Sequence, residues 1–276
     1  MRRQSLLCFL VCTFIYAPCF ALPIPTTLQT QGPPTDRVQI APPMRRTDPP
    51  SPTASAEELE IRADELRAEK SYLDALDYYR AALAKKPNSP EIYNKAGIAE
   101  LMTQHYKEAG KDFVRAIRGD HGNANAYNNL GVIEYETKKY GQAIKLYKHA
   151  IEIQADSASF FTNLGAAYFA KKDFVGASTA YAQALQLDPN VFDRTSHSGV
   201  SAQLASPADR AHYDYVLAKL YAKIGSAERS LEYLKKAMEE GYKNVNDVYT
   251  DPEFAMLRKD TRFTQLMAAK PQAIPE

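Results

Sequence analysis

The chain has 276 residues, of which 45% are hydrophobic and 24% charged, and its formal net charge is +1 at pH 7. This composition is ordinary for a folded protein and excludes a chain that is disordered throughout. A net charge near zero gives no overall basic field to attract nucleic acid or anionic lipid, so we expect no nucleic acid among the partners.

The first residues have the pattern of a secretory signal peptide. Arg2 and Arg3 precede an apolar run at residues 6–16, and Ala21 ends a sequence typical of a cleavage site. The apolar run is shorter than the roughly 20 residues that a helix needs to cross a bilayer. We therefore predict that residues 1–21 are removed on export, which leaves no membrane-spanning segment.

Removal of this segment would also change the chemistry of the chain. All three cysteines lie within it, so the mature protein is predicted to have no disulfide and no thiolate metal site. Cys19 is a poor candidate for lipid attachment, because Pro18 precedes it where a lipoprotein signal has a small residue. Cleavage leaves 32 basic and 33 acidic residues, a formal charge of −1.

Residues 22–55 contain nine prolines and few apolar residues between them. This composition predicts a disordered linker. A polyproline II segment that docks on an aromatic groove is the alternative, but no repeated PxxP core supports it.

From residue 56 onward the sequence repeats every 34 residues. Five positions of the repeat keep one type of residue in every unit, and we call each such position a register. Two registers are alanine, one is aromatic, one is large and apolar, and one is alanine or glycine. This period is typical of stacked units that are each too small to bury their own apolar face. We predict four such units over residues 56–191. The registers are Ala75, Ala109, Ala143 and Ala177; Ala82, Ala116, Ala150 and Ala184; Tyr79, Phe113, Tyr147 and Tyr181; Leu59, Tyr93, Tyr127 and Phe161; and Ala63, Gly97, Gly131 and Gly165.

Each unit contains two amphipathic helical patterns joined by a short polar turn. Ser55 and Glu58 have capping-box spacing, and Ser89 followed by Pro90 places a cap before a proline at the first helical position. Helices are therefore expected to begin near residues 56 and 90. The alanine or glycine register is expected where the two helices cross closely, since a larger side chain would separate them.

The period is interrupted after the fourth unit by about nineteen residues without a counterpart. We predict that residues 192–210 form an inserted connector packed on the fourth unit; a functional loop is the alternative. A fifth unit is predicted over residues 211–244, with Gly241 as a helix stop. Short helices over residues 245–270 are expected to cover the exposed end of the stack.

These residues resemble the tetratricopeptide repeat family. The stretch from Ala158 to Pro189 carries nearly the whole family pattern: Phe161, Leu164-Gly165, Tyr168, Ala177, Tyr181, Ala184 and Pro189. The first unit departs from it at Arg62 and Ala63, and the second has His121 in place of the terminal proline. The resemblance implies an all-α fold, a right-handed α-solenoid of helix-turn-helix units with a C-terminal helical cap.

The resemblance also implies a concave groove, lined by the first helix of each unit, that binds a peptide or protein segment. Asn129 and Asn163 are one period apart and are expected to form a ladder of amides, although asparagine is also common here in family members with varied partners. Tyr135 and Phe169 are expected to add apolar area. The predicted groove residues are Asn94, Lys95, Ile98, Leu101, Asn125, Asn128, Asn129, Val132, Tyr135, Thr162, Asn163, Ala166 and Phe169.

The first unit places Glu57, Glu60 and Asp64, followed by Glu91, at one end of this groove. The end is expected to be acidic and to suit a basic partner segment, or else to be an ordinary solvated helix face. The lysine, asparagine and arginine set with which one subgroup of the family grips chaperone C-termini is not present here.

The function expected from these features is a noncatalytic scaffold for protein interactions in the bacterial cell envelope, in the periplasm. A module that binds an envelope glycan or lipid-linked chain through tyrosines is one alternative. An enzyme that uses Arg194, Ser196, His197, Ser198 and Ser201 of the insertion is another. We identify no catalytic motif, no cofactor and no metal-ligand set in the sequence, and the oligomeric state stays open.

Overall fold

The structure is a computed structural model that describes residues 47–192 and 207–269. The described residues form eleven α-helices and three short 3-10 helices, with no strand. The α-helices are α1 (Ala56–Ala68), α2 (Tyr72–Lys85), α3 (Pro90–Met102), α4 (Tyr106–Gly119), α5 (Ala124–Glu136), α6 (Tyr140–Ile153), α7 (Ala158–Ala170), α8 (Phe174–Leu187), α9 (Pro207–Lys223), α10 (Ala227–Glu239) and α11 (Thr261–Ala269).

The helices pack in chain order. Each odd-numbered helix from α1 to α9 packs along the helix that follows it, and the second helix of each of the first four pairs contacts the first helix of the next pair. We call the members of a pair the first and the second helix. Series packing of this kind is that of an α-solenoid, whose units contact only their neighbours and share a continuous core.

The periodic registers form that core. The two alanine registers are fully buried, and the four aromatic residues of the third register have at most 1% of their surface exposed. A Cβ atom added to Gly131 would lie 2.6 Å from the Tyr147 ring, and one added to Gly165 would lie 2.4 Å from the Tyr181 ring. The close crossing predicted for the glycine register is therefore confirmed, and its physical cause is the aromatic ring of the second helix.

The predicted start signals are present. Ser55 accepts a hydrogen bond from the backbone N–H of Glu58, and the Glu58 side chain accepts one from the N–H of Ser55. The Ser89 side chain accepts from the N–H of Ile92, with Pro90 in the first turn of α3. These contacts satisfy donors that a helix start would otherwise leave unpaired.

The turn inside each unit also repeats. Lys70, Gln104, Lys138 and Lys172 lie 34 residues apart, and each has a φ of 61° to 63°, in the left-handed region. Gly225 has the same role in the fifth pair, at φ 82°. Its distance from Lys172 equals one period plus nineteen residues, so the length of the insertion inferred from the sequence agrees with the turn geometry.

Residues 47–55, the last part of the predicted linker, lie against α2. The Tyr78 hydroxyl donates to the Asp48 carbonyl oxygen at 3.0 Å, and Lys85 Nζ donates to the Pro52 carbonyl oxygen at 2.8 Å. This stretch is thus held in place, unlike the disorder expected for residues 22–55. Residues 1–46 lie outside the described part.

The fifth pair differs from the predicted boundaries at its start. Helix α9 begins at Pro207, as the Ser206-Pro207 pair in the sequence predicts, and runs for 17 residues, so the fifth pair starts inside the stretch assigned to the connector. Residues 193–206, which include the serines and the histidine of the enzyme alternative, lie outside the described part.

The C-terminal segment covers the fifth pair. Its 3-10 helices are Val245–Tyr249, Pro252–Phe254 and Leu257–Lys259. Their buried side chains join those of α9, α10 and α11 in one apolar cluster. Arg258 donates to the carbonyl oxygens of Val248 and Asp251 at 2.9 and 2.8 Å, which ties two of these short segments together.

Candidate binding surface on the first helices

The first helices of successive units lie side by side. Helix α1 contacts α3, α3 contacts α5, and α5 contacts α7. The residues predicted to line the groove therefore belong to three adjacent helices, α3, α5 and α7. We call the surface formed by these thirteen residues the first-helix face.

A chain of side-chain amides crosses this face. Asn163 donates to the Asn128 Oδ1 atom at 2.9 Å, Asn128 donates to Asn129 at 3.3 Å, and Asn129 donates to the Asn94 Oδ1 atom at 3.0 Å. The four amides join α7, α5 and α3. Among the described residues, the NH₂ group of Asn94 has no partner, so the chain ends there with free donors.

The predicted ladder of Asn129 directly on Asn163 is therefore wrong, and the connection runs through Asn128. The amide contacts between neighbouring first helices and the pair formed by Lys95 and Glu60 join residues 35 positions apart, one more than the period, whereas Lys95 and Asp64 are 31 apart. An α-helix turns by about 100° per residue, so the side that faces the preceding first helix and the side that faces the following one carry residues at different positions of the repeat.

The thirteen residues differ widely in accessibility. Asn125 is exposed, and no contact with another described side chain is present there. Half-buried are Asn94, Lys95, Ile98, Leu101, Asn129, Tyr135 and Thr162. Buried are Asn128, Val132, Asn163, Ala166 and Phe169. The buried members position the others and cannot contact a partner without a rearrangement of the helices.

Phe169 in particular belongs to the core. Only 1% of its surface is exposed, and its ring lies 5.1 Å from that of Phe174, 5.5 Å from His212 and 6.0 Å from Tyr213, centroid to centroid. Helix α9 supplies two of these three rings. The predicted role of Phe169 as groove area is therefore wrong, because the first helix of the fifth unit covers it.

Tyr135 is the better aromatic candidate. Its ring is half-buried and lies 5.4 Å from the ring of Tyr140. Burial raises the pKa of Tyr135 to about 12, so its hydroxyl stays protonated at neutral pH and can donate a hydrogen bond.

Lys95 is paired within the chain. Its Nζ atom lies 2.6 Å from Glu60 and 2.7 Å from Asp64, and both contacts are partly buried. Burial opposes ionisation of Asp64, but hydrogen bonds from Lys95 and Tyr79 hold its pKa below the usual range. Lys95 thus compensates part of the charge of Glu60 and Asp64, and Arg67 lies 3.6 Å from Asp64, which weakens the support for a basic partner there.

One polar cluster was missed by the sequence reasoning. Arg80 of α2 bridges Glu100 of α3 and Asp112 of α4, and Arg115 contacts the other oxygen of Asp112 at 2.9 Å. The side chains of Glu100 and Asp112 are only 4% and 1% exposed. Burial raises the pKa of Glu100, while Arg80 opposes that shift. The sequence signal for this cluster was Asp112, a charged residue directly before Phe113 of the buried aromatic register.

In the ranges 47–192 and 207–269, no helix is both long and apolar enough to cross a bilayer. Within the same ranges, no group of histidine and acidic side chains has the geometry of a metal site.

The serial helix pairs and the face that they share define the class of the chain as an all-α repeat protein of the solenoid type. Sequence models then identify the repeat. Models described as tetratricopeptide repeat match residues 62–124 and 158–191, and one described as TPR repeat matches residues 131–172. Residues 62–124 and 131–191 of the chain are thus tetratricopeptide repeats.

Solved structures share the fold. PilF of Pseudomonas aeruginosa is 18% identical, with 78% of this chain and 88% of that chain covered and a TM-score of 0.52. TTC0263, a TPR protein of Thermus thermophilus, is 18% identical over 78% and 100% of the two chains, with a TM-score of 0.48. YrrB, described as a TPR protein with an unusual peptide-binding site, is 20% identical over 71% and 91%, with a TM-score of 0.46. Among curated proteins, no sequence matches the chain.

Proposed function

We propose that this chain is a noncatalytic scaffold of the bacterial cell envelope that binds an extended peptide or protein segment on its first-helix face. The tetratricopeptide repeats of the chain support a role in protein interactions. The signal-peptide pattern of residues 1–21 supports export to the periplasm.

The observation that carries the proposal is the chain of amides across α3, α5 and α7. Asn94 has free donors at the open end of that chain, and Asn125 presents an exposed amide on the next helix. An amide donates to a carbonyl oxygen and accepts from an N–H, so both residues can pair with the backbone of an extended segment. Backbone pairing would bind segments of varied sequence.

The buried members of the chain, through Asn129, hold the half-buried Asn94 amide in position. Asn128 and Asn163 are 7% and 5% exposed and bond to each other across two helices. A binding group whose neighbours are already fixed loses less conformational entropy when a ligand binds. Tyr135 lies on α5 with these asparagines and offers a half-buried ring and a hydroxyl donor.

The test begins with peptides selected from a display library against the full chain. Their affinity is then measured for the wild type and for a variant with Asn94→Ala and Asn125→Ala. Each lost hydrogen bond is worth about 0.5–1.5 kcal/mol, so we expect binding weaker by about ten-fold.

The matched control is a variant with Lys107→Ala and Lys111→Ala, two exposed residues on the second helix α4. Its affinity should stay within about two-fold of the wild type. Equal losses in the two variants, or an unchanged affinity in the asparagine variant, would overturn the proposal. Thermal unfolding of both variants establishes that they are folded.

A further inference from the structure

A second surface of the molecule has a different chemistry. A cleft of about 530 Å³ lies at the turn between α5 and α6 and extends to the corresponding turn of the fourth unit. We call it the basic cleft. Its lining residues are Lys138, Lys139, Tyr140, Gly141, Gln142, Lys145 and Lys171.

The lysines of the basic cleft are largely uncompensated. Lys139 pairs with Glu134 at 3.2 Å, but Lys138, Lys145 and Lys171 have no carboxylate within ion-pair distance in the described part of the chain. No acidic residue lines the cleft. Lys172, directly after Lys171, differs from it, because it pairs with Asp209.

The basic cleft is also open to a ligand. All four lysines, Gly141 and Gln142 are exposed. A Cβ atom added to Gly141 would meet no other atom within 4 Å, so no side chain fills the space above it. The Tyr140 hydroxyl and the Gln142 amide have no hydrogen-bond partner among the described residues and add polar groups to the wall.

We propose that the basic cleft binds an acidic segment of a partner protein, one that carries several carboxylates along a short stretch. Its charges come from the turns of two successive units, so they are distributed along the solenoid and fit carboxylates distributed along a chain. No arginine lines the cleft. Because the planar guanidinium of arginine forms two hydrogen bonds with one phosphate group, its absence favours carboxylates over a phosphate as the ligand.

This site is separate from the first-helix face. Its residues lie on the turn before α6, on the first two turns of α6 and at the C-terminal end of α7, and none of them belongs to the thirteen residues of that face. The chain could therefore hold two partner segments at once, and loss of one site need not affect the other.

The experiment uses the full chain and a fluorescein-labelled polyglutamate peptide, with binding followed by anisotropy. A variant with Lys138→Gln, Lys145→Gln and Lys171→Gln should bind the peptide at least about ten-fold more weakly than the wild type. Added salt should weaken wild-type binding, because exposed charges are screened. Carbodiimide cross-linking followed by mass spectrometry should join the peptide to these three lysines.

The control variant carries Lys86→Gln, Lys107→Gln and Lys111→Gln, which make the same change in net charge at exposed lysines on α4 and after α2. It should bind within about two-fold of the wild type. Equal losses in both variants, absence of saturable binding, or cross-links spread over other lysines would overturn the proposal. So would a cleft variant that loses binding to phosphatidylglycerol vesicles or to pyrophosphate but not to the peptide.

Discussion

At the scale of single residues, the glycine register sets how closely the two helices of a unit approach. Gly131 lies under the ring of Tyr147, which is itself 1% exposed and has no free space to move into. Alanine is otherwise a better helix former than glycine by up to about 1 kcal/mol. The steric effect and the propensity effect therefore have opposite signs at this position.

We predict that Gly131→Ala lowers the free energy of unfolding by about 1–2 kcal/mol, because overpacking a filled core costs more than the gain in helix propensity. Gly110→Ala is the matched control, since a Cβ atom there would lie 3.8 Å from Ile133, at ordinary contact distance. That variant should gain about 0.5–1 kcal/mol. Urea unfolding measures both, and a stabilised Gly131→Ala variant would contradict the account of the register.

The amide chain shows what sequence reasoning can and cannot find at this scale. The period places Asn94, Asn128, Asn129 and Asn163 on neighbouring helices, and the structure brings all four together. The pairing itself was mispredicted, because a residue that faces the preceding helix and one that faces the following helix occupy different positions of the repeat, so contacts do not follow the period.

At the scale of helices, the cluster of Arg80, Glu100 and Asp112 joins the first unit to the second. Arg80 compensates two nearly buried carboxylates from different helices, and Arg115 is a second partner of Asp112. Removal of one partner from such a cluster leaves uncompensated charge in a poorly solvated place, and that is more costly than the loss of an exposed pair.

We predict that Arg80→Met lowers the free energy of unfolding by about 2–4 kcal/mol at pH 7. Burial raises the pKa of Glu100 in the folded state, so the folded chain holds this proton more tightly than the unfolded chain does. The contribution of Glu100 to stability is then fully present below the usual pKa of 4.5 and is lost as the pH rises through the raised value.

The loss of unfolding free energy caused by Arg80→Met should therefore be smaller at pH 5 than at pH 7. Without Arg80 the pKa of Glu100 rises further, so acidification protonates Glu100 in the folded variant and removes its uncompensated charge. Urea unfolding at the two pH values measures this loss. Arg118→Met, at an exposed position of α4, is the control and should change stability by less than about 0.5 kcal/mol at either pH. A deficit that grows on acidification would contradict this assignment.

The helices themselves were largely predictable, and the contacts between distant ones were not. Starts at residues 56 and 90 follow from capping residues that act locally, and the structure confirms both. Phe169 was misassigned because α9 covers it, and the period does not show which first-helix residues the next unit buries. The cluster at Arg80 draws on three helices with no shared spacing, so the sequence could point to Asp112 but only the fold identifies its partners.

At the scale of the whole molecule, the proposed compartment and the proposed binding function rest on different parts of the chain. The first concerns the compartment and depends on residues 1–21 alone. The second concerns binding and depends on the first-helix face. Either can fail without the other.

For the compartment, we predict that a bacterial host exports the chain and that the mature protein begins at Leu22. N-terminal sequencing of the periplasmic product measures this directly. A variant with Arg2→Glu and Arg3→Glu should stay in the cytoplasm with its full length. A product that retains Met1 in the periplasm or in the membrane fraction would contradict cleavage.

The most direct test of the account asks where a bound segment lies. A photoreactive side chain is placed at the exposed Asn125 of α5 in one sample and at the exposed Lys111 of α4 in another, and each is irradiated with a selected peptide. We predict a cross-linked peptide from position 125 and none from position 111. Cross-linking from position 111 alone, or equally from both, would contradict binding on the first helices.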